Sequence, residues 1–105
     1  MDEAQQQKLR KLQDELHEVK QQKHKTFDDL NGLVGRIFAA FPECFPRRTL
    51  NQKGSRVVYH PNAPSTQPIS IEKEHGSREY LPSFYAKLAM QGIEMLLDSI
   101  EEQTE

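Results

Sequence analysis

The sequence contains a single cysteine, no tryptophan and no long apolar run. One cysteine cannot form a disulfide within the chain, which excludes a small secreted domain held together by disulfides. No apolar segment approaches the ~18 residues needed to cross a bilayer, and the first residues lack the basic and apolar regions of a secretory signal. We therefore expect a cytoplasmic protein without a membrane partner.

Apolar side chains are also scarce, because only 35% of the 105 residues are hydrophobic and 29% are charged. A compact monomer of this length buries roughly 60–65% of the surface of its unfolded chain, which leaves a small margin of stability. If a third of the chain forms an extended amphipathic helix, the remainder cannot build a large core. Association with another chain is the expected remedy.

The first forty residues, in contrast, show a regular spacing of apolar residues. These recur at alternating steps of three and four, which is typical of a helix that pairs with another helix. We predict a long N-terminal coiled-coil-type helix over residues 1–41, whose heptad seam forms an oligomer interface. The heptad seam comprises Leu9, Leu12, Leu16, Val19, Leu30, Leu33 and Ile37.

The middle of this helix carries conflicting signals. Lys23 and Thr26 occupy seam positions, so the seam is polar for one turn, and Thr26 followed by Asp29 is also typical of a helix N-cap. Two interpretations are open: one long helix with a loosened middle, or two helices broken near residues 24–26. The unchanged heptad phase favours one helix. The pattern does not decide between parallel and antiparallel pairing, or between a second copy and a different helical protein.

Residues 42–105 predict a small hairpin-plus-helix region that forms one continuous domain with the lower part of the first helix. Pro42 disfavours helical geometry at Phe41 and ends the first helix there. Residues 55–60 and 68–73 have the composition of two strands in a β-hairpin. A broad apolar stripe then predicts a C-terminal helix from Pro82 to about residue 102. The expected fold class is α+β, in which helical packing dominates.

Residues suited to catalysis or metal binding are few and poorly spaced. His17 and His24 are seven residues apart on one helix face, whereas zinc-binding helices use a spacing of four. Cys44, His60 and His75 match no zinc motif. We predict no catalytic residue, no metal site and no cofactor. A small metal-dependent enzyme that uses Cys44, His60 and His75 is a third and weaker interpretation.

Charge is strongly segregated along the chain despite a net charge of −2. Residues 44–71 contain no acidic residue, whereas residues 80–105 contain five acidic residues and one lysine. A basic loop over residues 47–56 would be doubled in a two-fold dimer and could contact a phosphate backbone. The candidate anion-binding or nucleic-acid-binding residues are Arg47, Arg48, Lys53 and Arg56.

Two functions follow from these patterns. The leading hypothesis is a non-enzymatic, oligomeric protein–protein interaction module, an adaptor or assembly subunit, that pairs through the N-terminal heptad helix. It would form a homodimer or bind a heterologous helical protein. The alternative is a dimeric nucleic-acid-binding regulator that uses the basic loop over residues 47–56.

The nucleic-acid alternative makes a direct prediction. Binding should weaken steeply as salt is added, because each neutralised phosphate releases counterions. Replacing both arginines, Arg47→Glu and Arg48→Glu, should abolish it. The measurement is a titration of the chain against labelled nucleic acid at several salt concentrations. Salt-insensitive binding, or no binding at low ionic strength, would rule out this alternative.

Overall fold

Three helices and a three-stranded antiparallel sheet make up the described part of the chain. The structure is a computed structural model and describes residues 2–42, 50–53, 56–61, 68–72 and 83–103. The α+β class with dominant helical packing is confirmed. The elements are α1 (Glu3–Gln21), α2 (Phe27–Ala40), β1 (Leu50–Lys53), β2 (Arg56–Tyr59), β3 (Ile69–Glu72) and α3 (Ser83–Gln103).

The prediction of one continuous helix over residues 1–41 is wrong, because the chain breaks between α1 and α2. Thr26 has an extended backbone, and its hydroxyl oxygen accepts a hydrogen bond from the Asp29 amide at 3.1 Å. The Lys25 ammonium donates to the main-chain carbonyls of Lys20, at 3.1 Å, and of Gln22. Both new helix ends are therefore satisfied by side chains from the linker, which stabilises the break.

The outer ends of the two helices lie where the sequence predicts them. A capping box begins α1, in which the Asp2 carboxylate accepts from the Gln5 amide at 2.8 Å. The Gln5 side chain accepts in return from the Asp2 amide, at 3.4 Å. At the other end, α2 stops at Ala40, because Pro42 disfavours helical geometry at Phe41.

The predicted hairpin is confirmed, since β2 and β3 pair antiparallel with Val57 opposite Ile71. The sheet is nevertheless one strand larger than the sequence indicated. Residues 50–53 form β1, which pairs antiparallel with β2 and places Leu50 opposite Tyr59. The expected loop over residues 47–56 is therefore partly sheet. The sequence Leu-Asn-Gln-Lys shows no apolar alternation, so its strand character comes from pairing with β2.

The buried residues of α1, α2, β3 and α3 form one hydrophobic cluster. The innermost side chains belong to α2, β3 and α3, where Leu33, Ile71 and Ile93 are fully buried. Helix α1 packs against both other helices and runs antiparallel to α3. Two contacts show this direction, because Lys20 lies 2.7 Å from Glu94 and Gln13 lies 3.1 Å from Glu101. From Gln13 to Lys20 the chain advances by seven residues in α1, and the contacted residues in α3 move back by seven, from Glu101 to Glu94.

Two aromatic side chains connect the sheet to α2. The Tyr59 hydroxyl of β2 donates a hydrogen bond to the Asn31 side-chain oxygen of α2. The Tyr59 ring also contacts Phe38, with ring centroids 5.7 Å apart and planes inclined by 55°. A tyrosine suits this position because its ring packs on the core while its hydroxyl reaches a polar partner. The sheet is thereby fixed in its orientation against the helices.

We predict that Leu33→Ala lowers the free energy of unfolding by about 3 kcal/mol, because it leaves a cavity at a fully buried position. Leu88→Ala is the matched control, since the same substitution at an exposed leucine should change stability by less than about 0.5 kcal/mol. Urea denaturation at low protein concentration measures both. Equal losses for the two variants would contradict the described core.

Candidate functional site

Helix α3 has two faces of very different character. One face enters the core, where Ile93, Leu96 and Ile100 are buried. On the opposite face Phe84, Leu88 and Met95 remain 67%, 44% and 36% exposed. These three residues follow one another at steps of four and seven, so they lie within an arc of about 40° and span about 16 Å of the helix. We call Phe84, Leu88 and Met95 the α3 stripe.

An aromatic pair marks the N-terminal end of the α3 stripe. The Tyr85 ring meets the Phe84 ring edge to face, with centroids 5.7 Å apart and planes inclined by 70°. Tyr85 itself is 45% exposed. Such pairs hold large apolar side chains in defined positions and lower the entropy lost when a partner contacts them. The two rings therefore form a preformed apolar contact surface.

Charged residues border the α3 stripe on one flank, and Glu102 continues the line of the stripe beyond Met95. Lys87, Glu94 and Asp98 are all exposed on the flank that faces α1. Glu94 forms the ion pair with Lys20 of α1, whereas Lys87 and Asp98 lie nearer the stripe. The lysine lies toward the N-terminal end of α3 and the carboxylates toward its C-terminal end. The surface thus combines an apolar strip with charges of opposite sign at its two ends.

The structure gives the predicted seam residues a different partner from the one that the heptad pattern suggested. All seven are buried within a single chain, where α1 contacts α2 and α3. The periodicity therefore identified the buried face of both helices. Pairing of two chains through the same residues stays a prediction. The seven are Leu9, Leu12, Leu16, Val19, Leu30, Leu33 and Ile37.

The basic residues are only partly within the described part of the chain. Arg47 and Arg48 lie outside the described residues. Lys53 is in β1 and Arg56 in β2, directly opposite each other in the register, and Glu72 of β3 is opposite Arg56. Two of the four predicted anion-binding residues are thus neighbours in a sheet, not members of one loop. Binding of nucleic acid by the four residues stays a prediction.

The histidines of the described residues do not converge. His17 and His24 are exposed, and His17 Nε2 lies 3.0 Å from the Gln21 side-chain nitrogen. His60 follows β2 and is also exposed, while Cys44 and His75 lie outside the described residues. Within residues that the structure describes, no group of three or more His, Cys, Asp or Glu side chains is arranged to hold a metal ion.

A shallow groove runs between α1 and α3. Its volume is about 250 Å³, and it is lined by residues that include His17, Lys20, Glu94 and Asp98. The Lys20 ammonium and the Glu94 carboxylate form an ion pair across this groove at 2.7 Å, so these two charged groups already bind each other. The groove is a feature of the contact between the two helices, and the α3 stripe is the stronger candidate for a functional surface.

Comparison with known proteins gives no relative from which a function could be transferred. No protein-family model matches the sequence, and neither a curated protein nor a solved structure matches the chain. None of the helices in the described ranges is long and apolar enough to span a membrane.

Proposed function

We propose that this chain is a non-enzymatic assembly subunit that pairs with another protein chain through the α3 stripe. The observation that carries the proposal is the distribution of exposed apolar groups. Among the side chains whose exposure the structure describes, every large hydrophobic one that is exposed belongs to α3. Clustering of such side chains on one helix face is typical of an interaction site, whereas single exposed ones are common on any surface. The proposal needs no catalytic residue and no cofactor.

The charges favour a second copy of this chain as the partner, bound through its own α3 stripe with the two α3 helices antiparallel. In an antiparallel pair centred near Gln91, Lys87 of one copy lies close to Glu94 of the other, and this contact occurs twice. A parallel pair would instead place Glu102 beside its own copy and align the two helix dipoles. Opposite charges therefore support the antiparallel arrangement, and like charges oppose the parallel one.

The size of the surface sets the expected strength of this contact. One helix pair about 16 Å long buries less than the ~1,200 Å² of total surface that stable complexes commonly bury. The preformed Phe84–Tyr85 ring pair supplies large aromatic contacts of the kind that dominate binding energy in small interfaces. We therefore expect a dimer that dissociates on dilution, not a permanent one.

Replacing Leu88 with a charged residue should abolish this dimer. Leu88→Glu places a carboxylate in the centre of the stripe, where pairing would bury it without a partner. Ala4→Glu is the control, because it adds the same charge at an exposed position of α1. Light scattering across a dilution series measures the mass. A wild-type chain that is monomeric at every concentration, or a Leu88→Glu chain that dimerises as strongly as the Ala4→Glu control, would contradict the proposal.

Exchange of charges between two chains tests the antiparallel orientation. Lys87→Glu brings like charges together in its own dimer. Glu94→Lys does the same with opposite sign, and it is combined with Lys20→Glu so that the ion pair within the chain is kept. A mixture of the two variants restores both attractive contacts, so we expect a heterodimer that is tighter than either homodimer. Native mass spectrometry of the mixture, with one of the two chains labelled with nitrogen-15, counts the three species. A statistical ratio of 1:2:1 would exclude this orientation.

A further inference from the structure

The linker between α1 and α2 keeps the heptad periodicity, although two helices that fold back on each other do not need it. Val19, Lys23, Thr26 and Leu30 follow at steps of four, three and four, so the heptad phase of α1 continues into α2. Two helices that fold back on each other have independent faces, and nothing in a turn requires a common phase. A shared phase is a requirement of one continuous helix.

The linker is also able to become helical. It consists of Gln22, Lys23, His24, Lys25 and Thr26, and contains neither glycine nor proline. Three of the five are good helix formers. The present turn depends on the Thr26 cap and on the contacts of the Lys25 ammonium with two carbonyls. A straight helix would replace these contacts with ordinary main-chain hydrogen bonds and extend about 57 Å from residue 3 to residue 40.

Helix α1 is joined to the rest of the described fold through the short linker over residues 22–26, so it can move as a unit. Its four core side chains retain 5–8% exposure, whereas Leu30, Leu33 and Ile37 of α2 show none. Its polar contacts with the other helices lie at the surface, among them the 2.7 Å pair of Glu15 with Arg36. Exposed pairs of this kind contribute little to stability. Removal of α1 therefore breaks few strong polar contacts, and the α1 of a second copy can restore the apolar packing on α2 and α3.

We propose that α1 is exchanged between two copies of this chain, with residues 22–26 straightening so that α1 and α2 form one continuous helix. Each α1 then packs against α2 and α3 of the other copy through the contacts that it now makes within its own chain. Such an exchange recovers every buried contact and changes only the hinge, which makes it a low-cost route to a dimer. The proposal is independent of the α3 stripe and goes beyond the proposed function.

Lys23 determines how far this exchange proceeds. In the exchanged dimer the two straightened hinges lie near the two-fold axis, where a lysine at a seam position faces its own copy. Two ammonium groups at this point repel each other and hold the equilibrium toward the folded-back monomer. An apolar residue at position 23 would remove the repulsion and complete the seam.

The test uses two substitutions at position 23 with opposite expected effects. Lys23→Leu completes the apolar seam and should favour the exchanged dimer. Lys23→Pro should prevent it, because proline is excluded from a helix interior. The folded-back form tolerates this proline, since Gln22 already has the extended backbone, with φ −68° and ψ 139°, that a following proline requires. The yield of exchanged dimer should differ by roughly 100-fold between the two variants.

Cross-linking between chains identifies the exchange directly. Gln13 and Glu101 touch across the α1–α3 contact at 3.1 Å. One chain carries Gln13→Cys and a second carries Glu101→Cys, both with Cys44→Ser and Leu88→Glu, so that pairing through the α3 stripe is absent. The two are mixed, treated with a short bis-maleimide and separated on a denaturing gel. Only an exchanged dimer brings these positions of different chains together.

We expect a strong cross-linked pair from Lys23→Leu chains and none from Lys23→Pro chains. A single chain with both cysteines and Lys23→Pro is the folding control, because it should cross-link within itself. Equal yields from the two hinge variants, or no cross-linked pair from Lys23→Leu chains at any concentration, would overturn the proposal. Because Leu88→Glu is present throughout, this result does not depend on whether the α3 stripe binds a second copy.

Discussion

The reversal of the chain at residues 22–26 is the constraint on which the rest of this structure depends. It turns what would be a long rod into two antiparallel helices and brings α1 onto α3. The main-chain groups freed by the break are met by Thr26 and Lys25, so the turn costs little in lost hydrogen bonds. With α1 folded back, its apolar face is covered by α2 and α3, and a chain with few hydrophobic residues obtains one shared core.

Much of the fold could be predicted from the sequence. The C-terminal end of α2, the extent of α3 and the pairing of β2 with β3 follow from Pro42, the apolar stripe and two β-branched segments. The heptad pattern also identified which side chains are buried. It could not identify what covers them, because packing against a helix of the same chain and against another chain require the same spacing. The Thr26 cap predicted a break in the helix, whereas the unchanged heptad phase predicted one continuous helix. The spacing of residues alone does not show which of the two is more stable.

The candidate surface was visible in the sequence only as an excess of apolar residues on the last helix. Phe84, Leu88 and Met95 lie on the face of α3 opposite the core, and a sequence cannot tell whether a wide apolar band is covered on both sides. The structure divides the band into a buried face and an exposed one. Helix α3 therefore has two roles: it forms the base on which α1 packs, and it presents the largest apolar side chains to solvent.

The distance along the chain between α1 and its partner on α3 has a consequence for synthesis. The contacts that join them link residues 74 and 88 positions apart, whereas those between α1 and α2 are far more local. A ribosome adds ~5–20 residues per second, so α1 and α2 emerge several seconds before α3 is complete. During that interval the part of the apolar face of α1 that α3 covers in the folded chain is exposed to solvent, and α2 is the one helical partner already available to it.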